Sequence, residues 1–154
     1  MCMPVLRRYI FEPLYYCYSQ SPFRKYTREL EITQFLPREV LLEIQWIRLK
    51  KMIEYAYVKN QFYRQRFDDA GVRPGDIQTM ADVELLPILT KDEIRRNGIA
   101  MISDGYAVDS MMKMKTGGST GKALELYMTE ECSERRNACA RRHDRWAGWM
   151  PGEP

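Results

Sequence analysis

Apolar residues recur at alternating steps of four and three in the first half of the chain, which predicts one buried face of a long helix. The positions run from Leu42 through Trp46, Leu49, Ile53, Ala56, Asn60 and Tyr63 to Phe67. Only Asn60 interrupts the apolar character of this face. Pro37 suits the first turn, because a proline's missing N–H would have no helical partner there, and Gly71 suits a helix end. We therefore predict a single helix from Pro37 to Phe67.

Two shorter helices are predicted in the next stretch from their N-terminal signatures. Thr79 and Asp82 bracket the start of the first. Thr90 and Glu93 have the spacing of a capping box at the start of the second, which Asn97-Gly98 ends. No nucleophiles, bases or metal ligands cluster in this half of the sequence, so residues 1–106 are predicted to form a helical scaffold.

After residue 107 the pattern changes to two short runs of strand character, residues 111–115 and 124–128, separated by a Gly-rich loop. Thr129 then has the position of an N-cap for a helix that runs to about Gly148. We expect its arginines on a solvated face beside acidic partners. The side chains expected to face inward are Cys132, Cys139, His143 and Trp146. The predicted fold class is α/β, with helices over 1–106 and a strand, loop, strand and helix over 107–154.

The charge balance and the apolar pattern argue against nucleic acid as a partner and against a transmembrane segment. Its 154 residues carry 24 lysines and arginines against 21 acidic residues, a net charge of +3. This balance does not favour nucleic acid, because the phosphates of DNA or RNA need a concentrated basic face. No apolar run approaches the roughly 20 residues that cross a bilayer, so we predict no transmembrane segment.

The first twenty residues are rich in apolar and aromatic side chains and leave two interpretations open. Arg7 and Arg8 precede a stretch that Glu12 and Pro13 interrupt, and no small-residue cleavage site follows, which is unlike a secretion signal. One interpretation is an aromatic segment at a membrane interface. The favoured one is a helix that packs its rings onto the domain. Without a secretion signal we expect a cytoplasmic protein.

The four cysteines form no CxxC pair, and in the cytoplasm we expect them to be reduced. Cys132, Cys139 and His143 share one face of the predicted helix. A structural zinc site needs a fourth ligand, and the sequence offers none nearby. We therefore interpret the cysteines as small apolar side chains on a packed face and predict no metal site.

The Gly-rich loop is the segment whose residue types indicate chemistry. Its glycines lack Cβ atoms, so successive backbone N–H groups can converge on an anion. Its hydroxyl groups add donors and its lysine adds a positive charge, which together predict a cradle for a polyphosphate. The residues are Thr116, Gly117, Gly118, Ser119, Thr120, Gly121 and Lys122.

Two common nucleotide-binding loops do not match this segment. In the P-loop pattern of nucleoside triphosphatases, Thr116 stands where the first glycine belongs and Ala123 where a Mg²⁺-binding hydroxyl belongs. A strand follows the loop here, whereas a P-loop leads into a helix. The dinucleotide fingerprint G-x-G-x-x-G also fails. The remaining alternative is a plain hairpin turn, which seldom combines three hydroxyls and a lysine with three glycines.

The loop resembles the phosphate-binding signature of adenylate-forming enzymes, commonly written Ser/Thr-Ser/Gly-Gly-Ser/Thr-Thr-Gly-x-Pro. Three further stretches resemble the phenylacetate–CoA ligase-like branch of that family, which includes relatives encoded with capsular polysaccharide genes. They are residues 60–71 (NQFYRQRFDDAG), 85–92 (LLPILTKD) and 141–149 (RRHDRWAGW). The resemblance covers the chain from about Leu36 onward, and the order of the four segments makes it more specific than the loop alone.

The resemblance implies ATP, Mg²⁺ and CoA as cofactors and a carboxylic acid as substrate. The loop would embrace the β- and γ-phosphates of ATP while the carboxylate attacks the α-phosphate, and the acyl-adenylate would then pass to an acceptor. Ser119 and Thr120 would donate from their hydroxyls, the glycines from their backbone N–H groups, and Lys122 would offset phosphate charge. Ala123 stands where the family usually has proline, which costs rigidity at the loop exit but no ligand.

The resemblance further implies an N-terminal fragment, because such ligases run to several hundred residues. The adenine pocket, the acidic Mg²⁺ ligand, the ribose-binding Asp and the adenylate-contacting Lys would lie beyond residue 154, so we expect no catalytic residue in this chain and no activity from it alone. The alternative is a non-catalytic helical interaction module with a relic loop. We also expect residues after about Ala107 to be less stable in isolation, because two strands leave an unpaired edge.

Overall fold

The computed structural model describes residues 3–117 and 123–150. The chain divides into two compact units, the first made of residues 1–37 and 129–154 and the second of residues 38–128. In chain order the described helices are α1 (Met3–Leu6), α2 (Glu12–Tyr18), α3 (Phe23–Thr33), α4 (Arg38–Lys59), α5 (Gln61–Asp69), α6 (Lys91–Asn97) and α7 (Glu130–Trp146). The strands are β1 (Met112–Lys115) and β2 (Glu125–Met128). Arg7–Phe11 form a π-helical turn, and Pro74–Asp76, Ala81–Leu85 and Val108–Ser110 form 3-10 turns.

The predicted helix from Pro37 to Phe67 is interrupted at Asn60, so the prediction of a single helix is wrong. Asn60 has an extended backbone (φ −142°, ψ 114°) between α4 and α5. Its side chain accepts a hydrogen bond from the Tyr63 N–H at 3.1 Å and so caps α5. Asn60 is only 1% exposed. The polar residue in the apolar pattern therefore marks a buried cap.

The end of α5 confirms the predicted helix stop and leads into the core of the second unit. The Val72 N–H donates to the Phe67 oxygen at 2.9 Å and the Gly71 N–H to the Asp68 oxygen at 3.0 Å, the two bonds of a Schellman motif. Gly71 has φ +67°, where glycine has no Cβ penalty. The buried core consists of Ile53, Phe67, Val72 and Ile77, and Trp46, Leu49, Tyr57, Val83 and Leu86 pack against it.

The capping box predicted for α6 is confirmed, and it also joins α6 to α5. The Glu93 N–H donates to the Thr90 Oγ1 at 3.2 Å, and the Glu93 carboxylate accepts from the Thr90 N–H at 2.7 Å. Arg66 of α5 forms an ion pair with Glu93 and donates from Nη2 to the Ile88 oxygen at 2.6 Å. The position of α6 is thereby tied to α5. The helix predicted after Thr79 is the 3-10 turn Ala81–Leu85.

β1 and β2 form the predicted hairpin. They pair antiparallel, with Met112 opposite Met128, Lys113 opposite Tyr127 and Lys115 opposite Glu125. Because side chains alternate along a strand, the lysines share one face with Glu125 and Tyr127. A mostly helical chain with one antiparallel hairpin is compatible with the predicted α/β class.

In the first unit α3 packs against α7, and the two helices run in the same direction. Tyr26 contacts Glu131 near their N-terminal ends, and Gln34 contacts Trp146 near their C-terminal ends. Thr129 caps α7 as predicted, since its side chain accepts from the Cys132 N–H at 3.1 Å.

The prediction of which α7 side chains face inward is wrong. Cys132, His143 and Trp146 are exposed and Cys139 is half-buried. Ala138 is the buried residue of α7 and packs against Phe23 and Tyr26.

The N-terminal helical stretch packs only part of its aromatic side chains. Tyr16 stacks on Phe23 with ring centroids 4.6 Å apart, as expected of rings packed onto the domain. Tyr9, Phe11, Tyr15 and Tyr18 are exposed, contrary to that expectation. In the part of the chain that the structure describes, no helix is long and apolar enough to cross a membrane.

Candidate functional site

The base of the Gly-rich loop is closed by Thr116. Its backbone N–H donates to the Leu124 oxygen at 3.0 Å, and its Oγ1 accepts from the Leu124 N–H, also at 3.0 Å. A hydroxyl that accepts one hydrogen bond keeps its own hydrogen to donate. Thr116 thus fixes the mouth of the loop and retains a donor.

Gly117 is the second predicted loop residue that the structure describes. Among the described residues, a Cβ built on Gly117 would meet no atom within 4 Å, and the φ of Gly117 lies outside the left-handed region. The described residues therefore give no steric reason for glycine at this position, and its own backbone conformation gives none either. Close approach of a ligand to the backbone is the remaining physical use of a missing Cβ. The other predicted loop residues, Gly118, Ser119, Thr120, Gly121 and Lys122, lie outside the described residues.

An open cleft of about 720 Å³ lies beside the loop exit, within the second unit. The end of α6 forms one wall, with Arg95, Arg96 and Gly98. The hairpin forms another, with Ala123 at the loop exit and Glu125 on β2. A Cβ built on Gly98 would lie 3.9 Å from the Glu125 oxygen, so the end of α6 approaches β2 closely.

The hairpin face at this cleft carries a small charge cluster. The Glu125 carboxylate lies 2.7 Å from the Lys113 Nζ and 3.1 Å from the Lys115 Nζ. The hydrogen bond from Lys113, and then that from Lys115, lowers the pKa of Glu125, while the bond to Glu125 raises the pKa of Lys113. Glu125 and Lys113 therefore both stay charged near neutral pH. These ion pairs join the two strands of the hairpin and do not provide a general base.

Arg95 and Arg96 were not singled out as site residues from the sequence. Two basic residues in the last turn of a helix ordinarily complement the helix dipole, which gives them a structural explanation in the sequence alone. Arg95 does pair with Asp92 at 2.5 Å. Only the approach of α6 to the hairpin places both arginines at a cleft beside the loop. The only local signal in the sequence was the predicted helix end at Asn97-Gly98, which follows the two arginines directly.

The described residues fit some of the implied cofactors and not others. An open backbone position at Gly117, a hydroxyl donor at Thr116 and nearby arginines fit phosphate groups of ATP. A Mg²⁺ site is different, because no group of three or more His, Cys, Asp or Glu residues in the described ranges is placed to hold a metal. We assign no Mg²⁺ ligand and no CoA contact to them.

Comparison with known proteins gives the relatives of the chain. The chain is 31% identical over 114 residues to the phenylacetate-coenzyme A ligase of Escherichia coli. This aligned stretch covers 72% of the chain and 25% of that enzyme. It is 39% identical over 70 residues to the phenylacetate-coenzyme A ligase of Thermus thermophilus (46% and 15%) and 31% over 106 residues to Protein CapK of Staphylococcus aureus (68% and 23%). No protein-family model matches.

The chain therefore spans about a quarter, or less, of the length of these relatives. The aligned share is 72% of this chain for the Escherichia coli enzyme and 68% for Protein CapK, and the names of these relatives agree with the resemblance seen in the sequence. That resemblance is confirmed, and the chain is a relative of the phenylacetate–CoA ligase-like family.

Proposed function

We propose that the chain supplies the phosphate-binding loop of an ATP-dependent carboxylate-activating ligase, which forms an acyl-adenylate and transfers the acyl group to CoA or another acceptor. The Gly-rich loop, mounted on a hairpin whose mouth Thr116 closes, is the observation that carries this proposal. The similarity to phenylacetate-coenzyme A ligases supports the reaction class. A helical scaffold over 1–106 and the start of a nucleotide-binding core over 107–154 belong to the same proposal, as does a cytoplasmic location.

In this proposal the loop binds the β- and γ-phosphates of ATP. Thr116 donates its remaining hydroxyl hydrogen, and Gly117 lets a phosphate oxygen approach the backbone. Ser119 and Thr120 donate hydroxyl hydrogen bonds, the other loop glycines donate backbone N–H groups, and Lys122 offsets charge. The arginines of the α6 wall add positive potential beside the loop exit.

We further propose that the 154 residues alone do not catalyse adenylate formation. The described residues offer phosphate donors, but no group of three or more His, Cys, Asp or Glu among them is placed to hold a metal. Phosphoryl chemistry of this kind depends on positioning and charge neutralisation, so a partial set of donors gives binding without turnover. Carboxylate-dependent ATP–pyrophosphate exchange by this chain would contradict the proposal of an incomplete site.

A pyrophosphate titration followed by backbone amide NMR tests the loop directly. Inorganic pyrophosphate is expected to shift the amide signals of Thr116 and Gly117. Gly117→Ala should weaken the binding roughly tenfold, equivalent to about 1.4 kcal/mol, because the added methyl group blocks the approach of the anion. It should leave the fold intact, because a Cβ at this position meets no atom of the described residues within 4 Å.

Gly75→Ala is the matched control for this titration. Gly75 also has open space where a Cβ would lie and no left-handed φ, but it sits in the turn Pro74–Asp76. Gly75→Ala should therefore bind pyrophosphate like the parent chain. Equal binding by both variants, or no shift at the loop amides, would contradict a phosphate-binding role.

The alternative of a non-catalytic helical interaction module is favoured by one observation, the large number of exposed apolar side chains on α2 and α4. Reading the DNA downstream of the codon for Pro154 separates the two. An adenylate-forming core in a continuing or frameshifted frame supports the ligase. A stop codon followed by unrelated sequence supports the module.

A further inference from the structure

One face of α2 is apolar, aromatic and exposed. Phe11, at the end of the π-helical turn, is 62% exposed, Leu14 62%, Tyr15 64% and Tyr18 91%. Their spacing of three and four places them on one side of the helix. We call these four residues the aromatic face.

The opposite side of the same helix is packed within the first unit. Glu12 accepts a hydrogen bond from Arg141 of α7 at 3.0 Å, and Tyr16 stacks on Phe23 of α3. The packing of one side fixes which side points outward. The aromatic face is therefore the outward side of α2 in the folded unit.

A basic groove of about 730 Å³ runs between this helix and α3. Two of its cations are neutralised, because Arg141 pairs with Glu12 and Arg145 pairs with Glu31. The other cations of the groove are Arg8, Arg24, Lys25 and Arg28, which we call the open cations. Within the described ranges none of these four forms an ion pair, so the groove carries a net positive charge without an internal counter-charge.

We propose that this surface binds the anionic face of a lipid bilayer, with α2 lying in the plane of the membrane. Tyrosine and phenylalanine prefer the zone between headgroups and acyl chains, where a ring is buried and a hydroxyl stays hydrated. Lysine and arginine beside such a helix extend their flexible side chains to the level of the lipid phosphates. The aromatic face and the open cations belong to one helix pair and supply both parts of this recognition.

The combination of charge and aromatic side chains favours a membrane over other occupants. A free phosphate or a small anion would need the open cations but would leave the aromatic face exposed to water. A second copy of the chain would bring a second set of open cations to the same interface, and like charges repel. Anionic lipid satisfies both features at once.

Vesicle co-sedimentation of the full 154-residue chain tests this proposal. The chain should pellet with vesicles of phosphatidylcholine and phosphatidylglycerol and not with phosphatidylcholine alone, and the binding should weaken as salt is raised. Leu14→Ser/Tyr18→Ser removes apolar contact, and Arg24→Gln/Lys25→Gln/Arg28→Gln removes charge. Each should weaken the binding at least roughly tenfold, the equivalent of about 1.4 kcal/mol. The altered side chains are exposed, so circular dichroism should show an intact fold.

Matched controls come from the second unit. Ile88→Ser removes an apolar side chain that is 85% exposed, and Lys51→Glu reverses an exposed charge on α4. Both should bind vesicles like the parent chain. The proposal is overturned by an absence of binding to anionic vesicles or by binding that the α2 and α3 variants do not change. Self-association that the Leu14→Ser/Tyr18→Ser variant abolishes, without vesicle binding, would assign the aromatic face to a second copy and overturn it as well.

Discussion

Each of the two units of the chain is stabilised internally by a different kind of contact. The second unit buries the aliphatic and aromatic side chains of Ile53, Phe67, Val72 and Ile77. In the first unit, Ala138 packs on Phe23 and Tyr26, and polar contacts surround this small centre. They are Ser21–Glu134, Tyr26–Glu131, Arg141–Glu12, Arg145–Glu31 and Trp146–Gln34.

This difference separates stability from orientation. Apolar burial contributes to the free energy of folding roughly in proportion to area and has no preferred direction. A half-buried ion pair or hydrogen bond contributes little net stability but fixes one geometry, and it costs more when only one partner is removed. We therefore expect substitutions in the second unit to act through lost volume, and those in the first unit through unpaired charge and steric fit.

The largest expected effect is that of Ile77→Ala in the core of the second unit. Ile77 is 1% exposed, so the substitution leaves a cavity and should lower the free energy of unfolding by about 3 kcal/mol. Native-state hydrogen exchange of the α4 and α5 amides measures this unit separately. Ile88→Ala, at an exposed position of the same unit, should change it by less than about 0.5 kcal/mol. Equal effects of the two substitutions would mean that the apolar cluster does not stabilise the unit.

Ala138→Leu tests the centre of the first unit by overpacking. Ala138 is fully buried where α7 meets Phe23 and Tyr26, so the larger side chain should cost about 2 kcal/mol in the hydrogen exchange of α3 and α7. Ala140→Leu, two residues on and exposed, is the control and should have little effect. If both substitutions were neutral, the contact between these helices would be loose enough to accept a leucine.

Arg141→Met tests the polar contacts of the first unit. The Arg141 and Glu12 side chains are both mostly buried, so removing the guanidinium leaves a carboxylate without its partner, at a cost of about 1–2 kcal/mol. Adding Glu12→Gln should restore part of that loss, because no buried charge is then left alone. The same hydrogen-exchange measurement on α3 and α7 reports both variants.

The ion pair Arg73–Asp68 of the second unit provides the control for that cycle. Its side chains are much more exposed, so Arg73→Met should change stability by less than about 0.5 kcal/mol. A larger loss there than at Arg141 would reverse the proposed difference between the units.

Features that depend on neighbours along the chain were predictable from the sequence. The capping box of Thr90 and Glu93, the cap at Thr129 and the stop at Gly71 are all confirmed. Each involves hydrogen bonds over three to five residues, so the sequence contains both partners within a short window. The Gly-rich loop was identified in the same way, from residue types that are adjacent in the chain.

Features that depend on distant partners were missed. The spacing of apolar residues continues from α4 into α5, because Asn60 occupies a seam position while it caps the next helix, and this concealed the break. On α7 the apolar stripe was expected to face inward. The packed side instead carries Ala138 and Arg141, whose partners Phe23 and Glu12 are more than a hundred residues away in sequence. The α6 wall of the cleft likewise depends on the Arg66–Glu93 pair, which periodicity does not indicate.

The smallest expected change in stability is at the Arg66–Glu93 ion pair of the second unit, and it depends on pH. The hydrogen bonds from Thr90, and then from Arg66, lower the pKa of Glu93 from 4.5 to about 2. A folded-state pKa below the unfolded one contributes stability that is fully present above pH 4.5 and is lost as the pH falls through about 2. Glu93→Gln should therefore destabilise the second unit at pH 7 and progressively less between pH 4.5 and 2, where the native carboxyl becomes neutral as well. Urea denaturation of the parent chain and the Glu93→Gln variant between pH 7 and pH 2 measures the difference in their free energies of unfolding. A difference that does not change with pH would show that the charge of Glu93 does not hold α6 against α5.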